Sequence, residues 1–244
     1  MTLLGRDATL DPLRQALRGA PADAAELRVH RRRAAVTRYS HDAIHQNALS
    51  DEVQVTARAV VNGAVGTASA NALEVAALRA LVADAAALAR LAPPSPEWPG
   101  LATPESYGEP RAFDAATAAV TAAEQATAIG RITAAARARG MRAAGPHAID
   151  LTEDALANTS GVAAYAPATV AYLRALVQSP GSGYAEDLAS SIAGLDPEGI
   201  AARAMEKCAL DRDRLELPPG DYEAVFEELA VAEFLRIVSI TGLG

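Results

Sequence analysis

The run Val53-Gln54-Val55-Thr56-Ala57-Arg58-Ala59-Val60-Val61 carries apolar Val53, Val55, Ala57, Ala59 and Val61 at every second position and enters Asn62-Gly63. Both turn residues tolerate positive φ, which a two-residue hairpin between right-twisted strands requires. The return, Ala64 to Ser69, is therefore predicted to pair antiparallel with the run before it. A chain that makes this hairpin is committed to a sheet, and at least one face of that sheet must be buried under other elements. Helices are the expected cover. Half of the 244 residues are hydrophobic but only 4% are aromatic, a composition led by alanine that suits close-packed helices.

Upstream, Leu10, Leu13 and Leu17 form one apolar stripe on a short helix that Asp11-Pro12 opens and Gly19 ends. Leu27 and Val29 then alternate with charged residues. Ala34, Val36, Ile44 and Leu49 follow in polar surroundings rich in turn formers. Downstream of the hairpin, Asn71 is placed to cap a helix over 72–91, with Leu73, Ala77, Leu81, Ala85 and Leu88 facing the core. Pro93-Pro94-Ser95-Pro96-Glu97-Trp98-Pro99-Gly100 breaks regular structure inside a loop spanning 92–112, either an interdomain linker or a packed surface loop, and Trp98 implies that it docks on something.

Asp114 opens an alanine-rich helix extending to Gly140. Strand patterns resume over 141–150, 151–158, 161–167, 169–178 and 184–190, with turns at Asn158-Thr159-Ser160-Gly161 and Ser179-Pro180-Gly181-Ser182-Gly183. Asp196-Pro197 begins the helix that carries Cys208. After Pro218-Pro219-Gly220, a strand over 222–226 and a helix with Ala230, Val231, Phe234, Leu235 and Val238 at helical spacing are expected.

Two regions thus run through strands, a glycine-containing turn, a return strand and a helix. Arg58-Ala59-Val60-Val61 parallels Arg174-Ala175-Leu176-Val177, and Gly66-Thr67-Ala68 parallels Gly183-Tyr184-Ala185. The fold class is α+β, with antiparallel or mixed sheets under packed helices and an internal duplication of a multi-strand plus helix unit.

A formal charge of -8 opposes a general phosphate-binding surface. The one basic run, Arg28, His30 and Arg31-Arg32-Arg33, is expected to be a solvated strand face. One cysteine, Cys208, excludes an intramolecular disulfide, fits a reducing compartment, and reads as a buried structural thiol. No apolar run is long enough to span a bilayer, so a soluble cytoplasmic protein with no membrane partner is expected.

His41 and His45 would share one face of a helix, as zinc ligands do, but their surroundings favour strand and turn. His30 and His147 lack identifiable partners in sequence and default to structural roles. Gly181-Ser182-Gly183 does not follow the strand, loop and helix order of a phosphate loop, and Ser182 lacks a nucleophile elbow.

Ala25-Glu26-Leu27-Arg28-Val29, the run from Val55 to Ser69, Asn158-Thr159-Ser160-Gly161, Ser182-Gly183-Tyr184-Ala185 and Lys207-Cys208-Ala209-Leu210 leading to Leu217-Pro218-Pro219-Gly220-Asp221-Tyr222 occur in an order that resembles the N-terminal domain of the TldD/PmbA (TldE) family. The resemblance implies cytoplasmic zinc-dependent proteases that process unfolded and leader peptides and have also been called modulators of DNA gyrase. It implies an N-terminal α+β domain, placed here at 1–217, followed by a largely β domain of which 218–244 is the start. It also implies a heterodimer in which one subunit carries a His-Glu-x-x-x-His helix, two imidazoles holding zinc and the glutamate serving as base.

Aligned with that motif, Glu228 and Glu233 stand at the histidine positions and Leu229 at the glutamate. Leucine can neither accept a proton nor orient a water. The resemblance therefore implies the PmbA/TldE type, with no catalytic or metal residue in this chain and zinc in a TldD-like partner subunit. The expected substrate is an unfolded peptide, not nucleic acid. A stand-alone protein or peptide interaction module is the alternative, motivated by the early chain end, which implies a fragment or a naturally short relative.

Overall fold

A computed structural model describes residues 1–106, 108, 110–212 and 215–243. Residues 107 and 109 of the loop expected at 92–112, residues 213 and 214 of the domain expected at 1–217, and residue 244 lie outside the described residues. The chain divides into two compact units, Met1–Arg212 and Asp213–Gly244.

In the first unit the order is α1 (Arg6–Leu17), β1 (Ala24–Ser40), β2 (Ala43–Val61), β3 (Ala64–Ala70), α2 (Val75–Leu91), α3 (Ala115–Ala119), α4 (Ala122–Ala138), β4 (Arg142–Asn158), β5 (Ala163–Gln178), β6 (Ser182–Ala189), a 3-10 turn (Ile192–Gly194) and α5 (Pro197–Leu210). One six-stranded sheet runs β3-β2-β1-β4-β5-β6, and all five of its pairings are antiparallel.

The internal duplication is present. Each half reads helix, three-stranded meander, helix, and the halves join through β1 and β4 at the middle of the sheet. Arg58 to Val61 of β2 and Arg174 to Val177 of β5 both lie in the part of the strand that pairs with the third strand of its half. The parallel between Gly66 and Gly183 is offset in register, Gly66 lying opposite Ala59 of β2 and Gly183 opposite Val177 of β5, two places further on, yet both glycines meet the covering helix. A Cβ on Gly66 would stand 2.1 Å from the Ala85 carbonyl oxygen of α2, and one on Gly183 would stand 2.3 Å from the Cys208 amide nitrogen of α5. In both halves the covering helix approaches its strand too closely for any residue but glycine.

The register places the buried side chains on one face. Leu27 lies opposite Ala57 and Ala157, and these pack with Leu10, Leu13, Leu78, Leu81 and Val82 of α1 and α2. Ala143 lies opposite Val177, and these pack with Ile129, Ile132, Ile200 and Ala204 of α4 and α5. Alanine in the strands lets the helices sit close, which accounts for the low aromatic content. Cys208 is fully buried, and its thiol donates to the Gly181 carbonyl at 3.2 Å, as a structural cysteine should.

Several local expectations are corrected. The polar stretch from Ala34 to Leu49 holds one turn only, at His41 and Asp42, where φ is 49° and 63°; on either side the ladder runs on, so β1 and β2 form one long hairpin. The strands expected at 141–150 and 151–158 are a single β4, and those at 161–167 and 169–178 a single β5. Pro167 is tolerated inside β5 because β6 pairs only from Ala171 onward, so its missing N–H removes no ladder bond on that side.

The helix expected from Asp114 to Gly140 is broken before Thr121, which caps α4 in a capping box with Glu124. The helix expected from residue 72 begins at Val75 behind Glu74 rather than behind an Asn71 cap. Its buried stripe is Leu78, Leu81, Val82, Ala85, Ala86 and Ala89, and Leu88 is half exposed.

The second unit contains α6 (Glu228–Gly242) and irregular chain before it. The strand expected at 222–226 does not form: these residues are exposed, and no strand pairs with them among the described residues. An isolated strand has no ladder to satisfy its backbone.

Candidate functional site

The four long helices of the first unit all cover the face carrying Leu27 and Ala57, so the sheet has one open face. Glu26, Arg28, His30 and Arg32 of β1 stand there beside Asp150 and Asp154 of β4. Their charges are paired: Arg28 and His30 meet Asp154 at 3.3 and 3.1 Å, Arg32 meets Asp150 at 2.7 Å, and Arg58 meets Glu26. Nearer β6, Arg174 and the Tyr172 hydroxyl both reach the Glu186 carboxylate at 2.6 Å. A surface of matched pairs has little net field with which to hold a polyanion.

Trp98 stacks under the Arg58 guanidinium at 5.1 Å and Asn158 donates to the Ala102 carbonyl at 2.8 Å, so the proline-rich loop is a packed surface loop on this unit.

The basic run divides by strand parity, and that corrects its expected solvation. Arg32 is on the open face, whereas Arg31 points under the helices and is 8% exposed. Its guanidinium grips Asp51 with two bonds of 3.0 and 2.9 Å and donates to Glu153 at 2.7 Å. Glu153 also accepts from the Leu4 and Gly5 amides, each at 2.9 Å, and from the Tyr165 hydroxyl at 2.7 Å. Burial works to raise its pKa, but the Gly5 and Leu4 amides, Tyr165 and Arg31 outweigh it, and the carboxyl is held below its ordinary value. Asp51 is likewise held low, chiefly by its bond from Arg31. This cluster fastens the N-terminal segment to the sheet, with every polar atom of the Glu153 carboxylate used. Its role is structural. No local pattern announces it, because its members are scattered over five segments: the N-terminal stretch, β1, β2, β4 and β5.

The two halves differ at their edges. The pairing of β2 with β3 stops at Val55, leaving residues 43–54 paired with β1 alone. Ile44 and Leu49 are 44% and 62% exposed there, among His45, Gln46, Asn47, Asp51 and Glu52. The matching part of β5, before Ala171, is crossed by the chain: the Thr169 amide donates to the Ala112 carbonyl at 2.8 Å, and the Thr169 hydroxyl bonds both the Ser190 carbonyl and the Asp114 amide. The β2 edge is thus long and unblocked among the described residues, with a row of backbone donors and acceptors facing outward. Such an edge accepts an added strand.

Glu228 is the first residue of α6, Leu229 follows it, and Glu233 lies one turn on, 2.7 Å from Arg236. Both glutamates are exposed. His41 sits in the β1–β2 turn with its Nδ1 3.0 Å from the Ser40 hydroxyl, and His45 lies on β2. His30 pairs with Asp154, a partner that distance in sequence concealed. Among the described residues, no group of three His, Cys, Asp or Glu side chains is arranged to hold a metal ion, and no helix is long and apolar enough to cross a membrane.

Residues 25–89 match the family model described as PmbA/TldA metallopeptidase domain 1. In fold the chain is similar to TldE from Thermococcus kodakarensis, with a TM-score of 0.74 and 18% identity over 81% of this chain and 47% of that one. It is also similar to a proposed modulator of DNA gyrase from Bacteroides thetaiotaomicron, with a TM-score of 0.71 and 16% identity over 85% of this chain and 50% of that one. A third, from Thermotoga maritima MSB8, gives a TM-score of 0.64 and 15% identity over 76% of this chain and 44% of that one. This chain therefore spans about half the length of these solved relatives. No curated protein matches it in sequence.

Proposed function

We propose that this chain, which carries the first domain of the PmbA/TldD proteins over residues 25–89 and shares the fold of TldE, acts as a non-catalytic TldE-like subunit of a zinc metalloprotease that handles unfolded or leader peptides. The family match carries the reading. The residues at the zinc-motif positions support it: Leu229 offers no lone pair, Glu228 and Glu233 offer no imidazole, and Glu233 is engaged by Arg236. Zinc then belongs to a TldD-like partner bearing His-Glu-x-x-x-His. The bare edge of β2 is where this subunit would hold an extended peptide, since main-chain pairing accepts any sequence that is unfolded. The single buried thiol fits a reducing cytoplasm.

The test is to purify the chain from its native cell with whatever it retains and to offer an unfolded peptide. Cleavage is expected only in the presence of a zinc-bearing subunit. Stoichiometric zinc in this chain together with unaided cleavage would overturn the proposal. A second reading, a peptide-binding module with no protease partner, rests on the same strand edge. It predicts peptide binding by the purified chain with no co-purifying relative that carries the zinc motif.

A further inference from the structure

Over residues 43–54 the bare edge of β2 has two unlike ends. At one, β3 fills the edge as far as Ala70, opposite Val55, and the chain then leaves the sheet through Asn71. Asn71 stands with Val53 and Gln54 in the wall of a recess of about 530 Å³ that Arg32, Asp51 and Glu52 also line, so an added strand meets a closed end there. The other end runs out at the turn of His41 and Asp42. The ends differ in charge too. Near Asn71, Arg31 and Arg33 are matched by Asp51 and Glu153, Arg32 by Asp150 and Arg28 by Asp154. Glu52 is exposed with no partner among the described residues, which leaves a negative charge over. Near the turn, Arg38, opposite Gln46, and Arg142, next to Ala143, are exposed with no ion-pair partner among the described residues. Asp42, which accepts from the Ala143 amide at 3.0 Å, offsets one of them, and a positive charge is left over.

We propose that the peptide held by this edge lies antiparallel to β2, with a basic N-terminal end beside Glu52 and Asn71 and an acidic C-terminal end beside Arg38. The inference rests on the reading of the bare edge as a peptide site and adds to it a direction and a charge order. The direction follows from β3, which is antiparallel to β2: a strand that takes up its line where it leaves the sheet continues the same ladder. Antiparallel pairing is also the more stable per residue. The charge order follows from the direction. An antiparallel peptide brings its N-terminal amine to Glu52, whereas a parallel one would bring its terminal carboxylate there, and like charges placed opposite each other destabilise a strand pair. At about 3.4 Å per residue the stretch 43–54 is roughly 40 Å long, so a peptide of about a dozen residues engages both ends.

The experiment titrates the whole chain with two fluorescent peptides of about a dozen residues. Both have capped ends and alternating threonine and valine between them; one begins with two lysines and ends with two glutamates, and the other has that order reversed. The lysine-first peptide should bind about fivefold more tightly or better, each exposed charge pair contributing a modest share. Exchanging the charges of the edge, Glu52→Lys with Arg38→Glu, should reverse that order, and both side chains are exposed, so the fold is spared. A spin label at the N-terminal end of the lysine-first peptide should broaden the amide resonances of Gln54 and Asn71, and one at its C-terminal end those of Ile44 and His45. Leu49→Lys separates the inference from the reading beneath it. If that change weakens two peptides that otherwise bind equally, or the N-terminal label broadens Ile44 instead, the edge is a peptide site and the proposed direction is overturned. If neither peptide binds, or Leu49→Lys leaves binding as it was, the edge is not a peptide site and the inference falls with that reading.

Discussion

In the first half α1, β1, β2, β3 and α2 follow one another as α4, β4, β5, β6 and α5 do in the second, yet β2 is bare over residues 43–54 where the corresponding part of β5 is crossed by the chain at Ala112 and Asp114. The buried polar groups differ as well. On the middle strand pair, the Arg31–Glu153 rung is charged and fastens the N-terminal segment, whereas the Thr37–His147 rung toward the other end is neutral and leaves both ring nitrogens buried with no hydrogen-bond partner among the described residues. A duplicated frame is held by shared constraints, the strand pattern and the close glycine contacts. What distinguishes the halves lies where those constraints do not reach: at the edges and in the polar rungs.

The charged rung should give the largest effect. Glu153→Ala leaves Arg31 buried with Asp51 as its remaining carboxylate and strips two amides and a hydroxyl of their acceptor, a loss of about 3–5 kcal/mol in urea unfolding. Its pH signature has a definite sign. The folded carboxyl lies below its ordinary value, so the native chain gains stability from it above the carboxylate range and loses that stability as pH falls through the folded value. Glu153→Gln should remove this acid-side loss. A Glu153→Ala change costing under about 1 kcal/mol would mean that the rung does not hold the first half together.

The glycine contacts test whether the halves are equivalent. Gly66→Ala and Gly183→Ala each drive a methyl into helix backbone, against Ala85 and Ala89 in one case and Ala204 and Cys208 in the other. Each should cost about 2–3 kcal/mol, because neither helix can move without opening its core. If thermal or urea unfolding shows only one of the two to be damaging, the duplication is one of strand order and not of packing.

The neutral rung gives a smaller effect with a different pH window. Burial pushes the His147 pKa below 6.5, against a weaker opposing influence from Gln125. The unfolded chain therefore takes up a proton near pH 6.5 that the folded chain refuses, and stability should decline as pH drops below that point. His147→Phe should remove this component and leave stability at pH 7.5 unchanged or slightly raised, as read from unfolding midpoints between pH 5 and 8. A midpoint profile identical in the two proteins would show that the ring stays neutral in both states or is solvated.

The frame could be read from sequence because it rests on local signals. Asn62-Gly63, the period-two run before it and the paired Arg58 and Arg174 segments lead directly to the hairpins and the duplication. Strand length was harder to judge. Ala34 to Leu49 looks like turns because a strand exposed on its edge carries polar residues on both faces, and apolar alternation is lost where little is buried. The candidate site was less legible still. Arg31 meets Glu153 and His30 meets Asp154 only after folding, and the burial of His147 with no partner for its ring nitrogens among the described residues is a property of packing that no residue type signals.

The bare edge predicts the smallest change in stability and the clearest contrast. Leu49 is 62% exposed on the part of β2 that has no outer neighbour, opposite Ala35 of β1. Leu49→Lys removes no core contact, so unfolding free energy should stay within about 0.5 kcal/mol. The lysine does put a charge where an added strand would have to bury its own side chain, a device by which natural edges refuse partners. Binding of an unfolded fluorescent peptide should weaken by about fivefold or more, since a lost apolar cross-strand contact and a desolvated charge together exceed 1 kcal/mol. The comparable insult to the second half, Ala168→Lys beside the Thr169 amide that Ala112 already occupies, should leave peptide binding unchanged. Were both substitutions to weaken binding alike, the peptide would not be reading the one edge that distinguishes the halves, and the asymmetry between β2 and β5 would have to serve something other than strand addition.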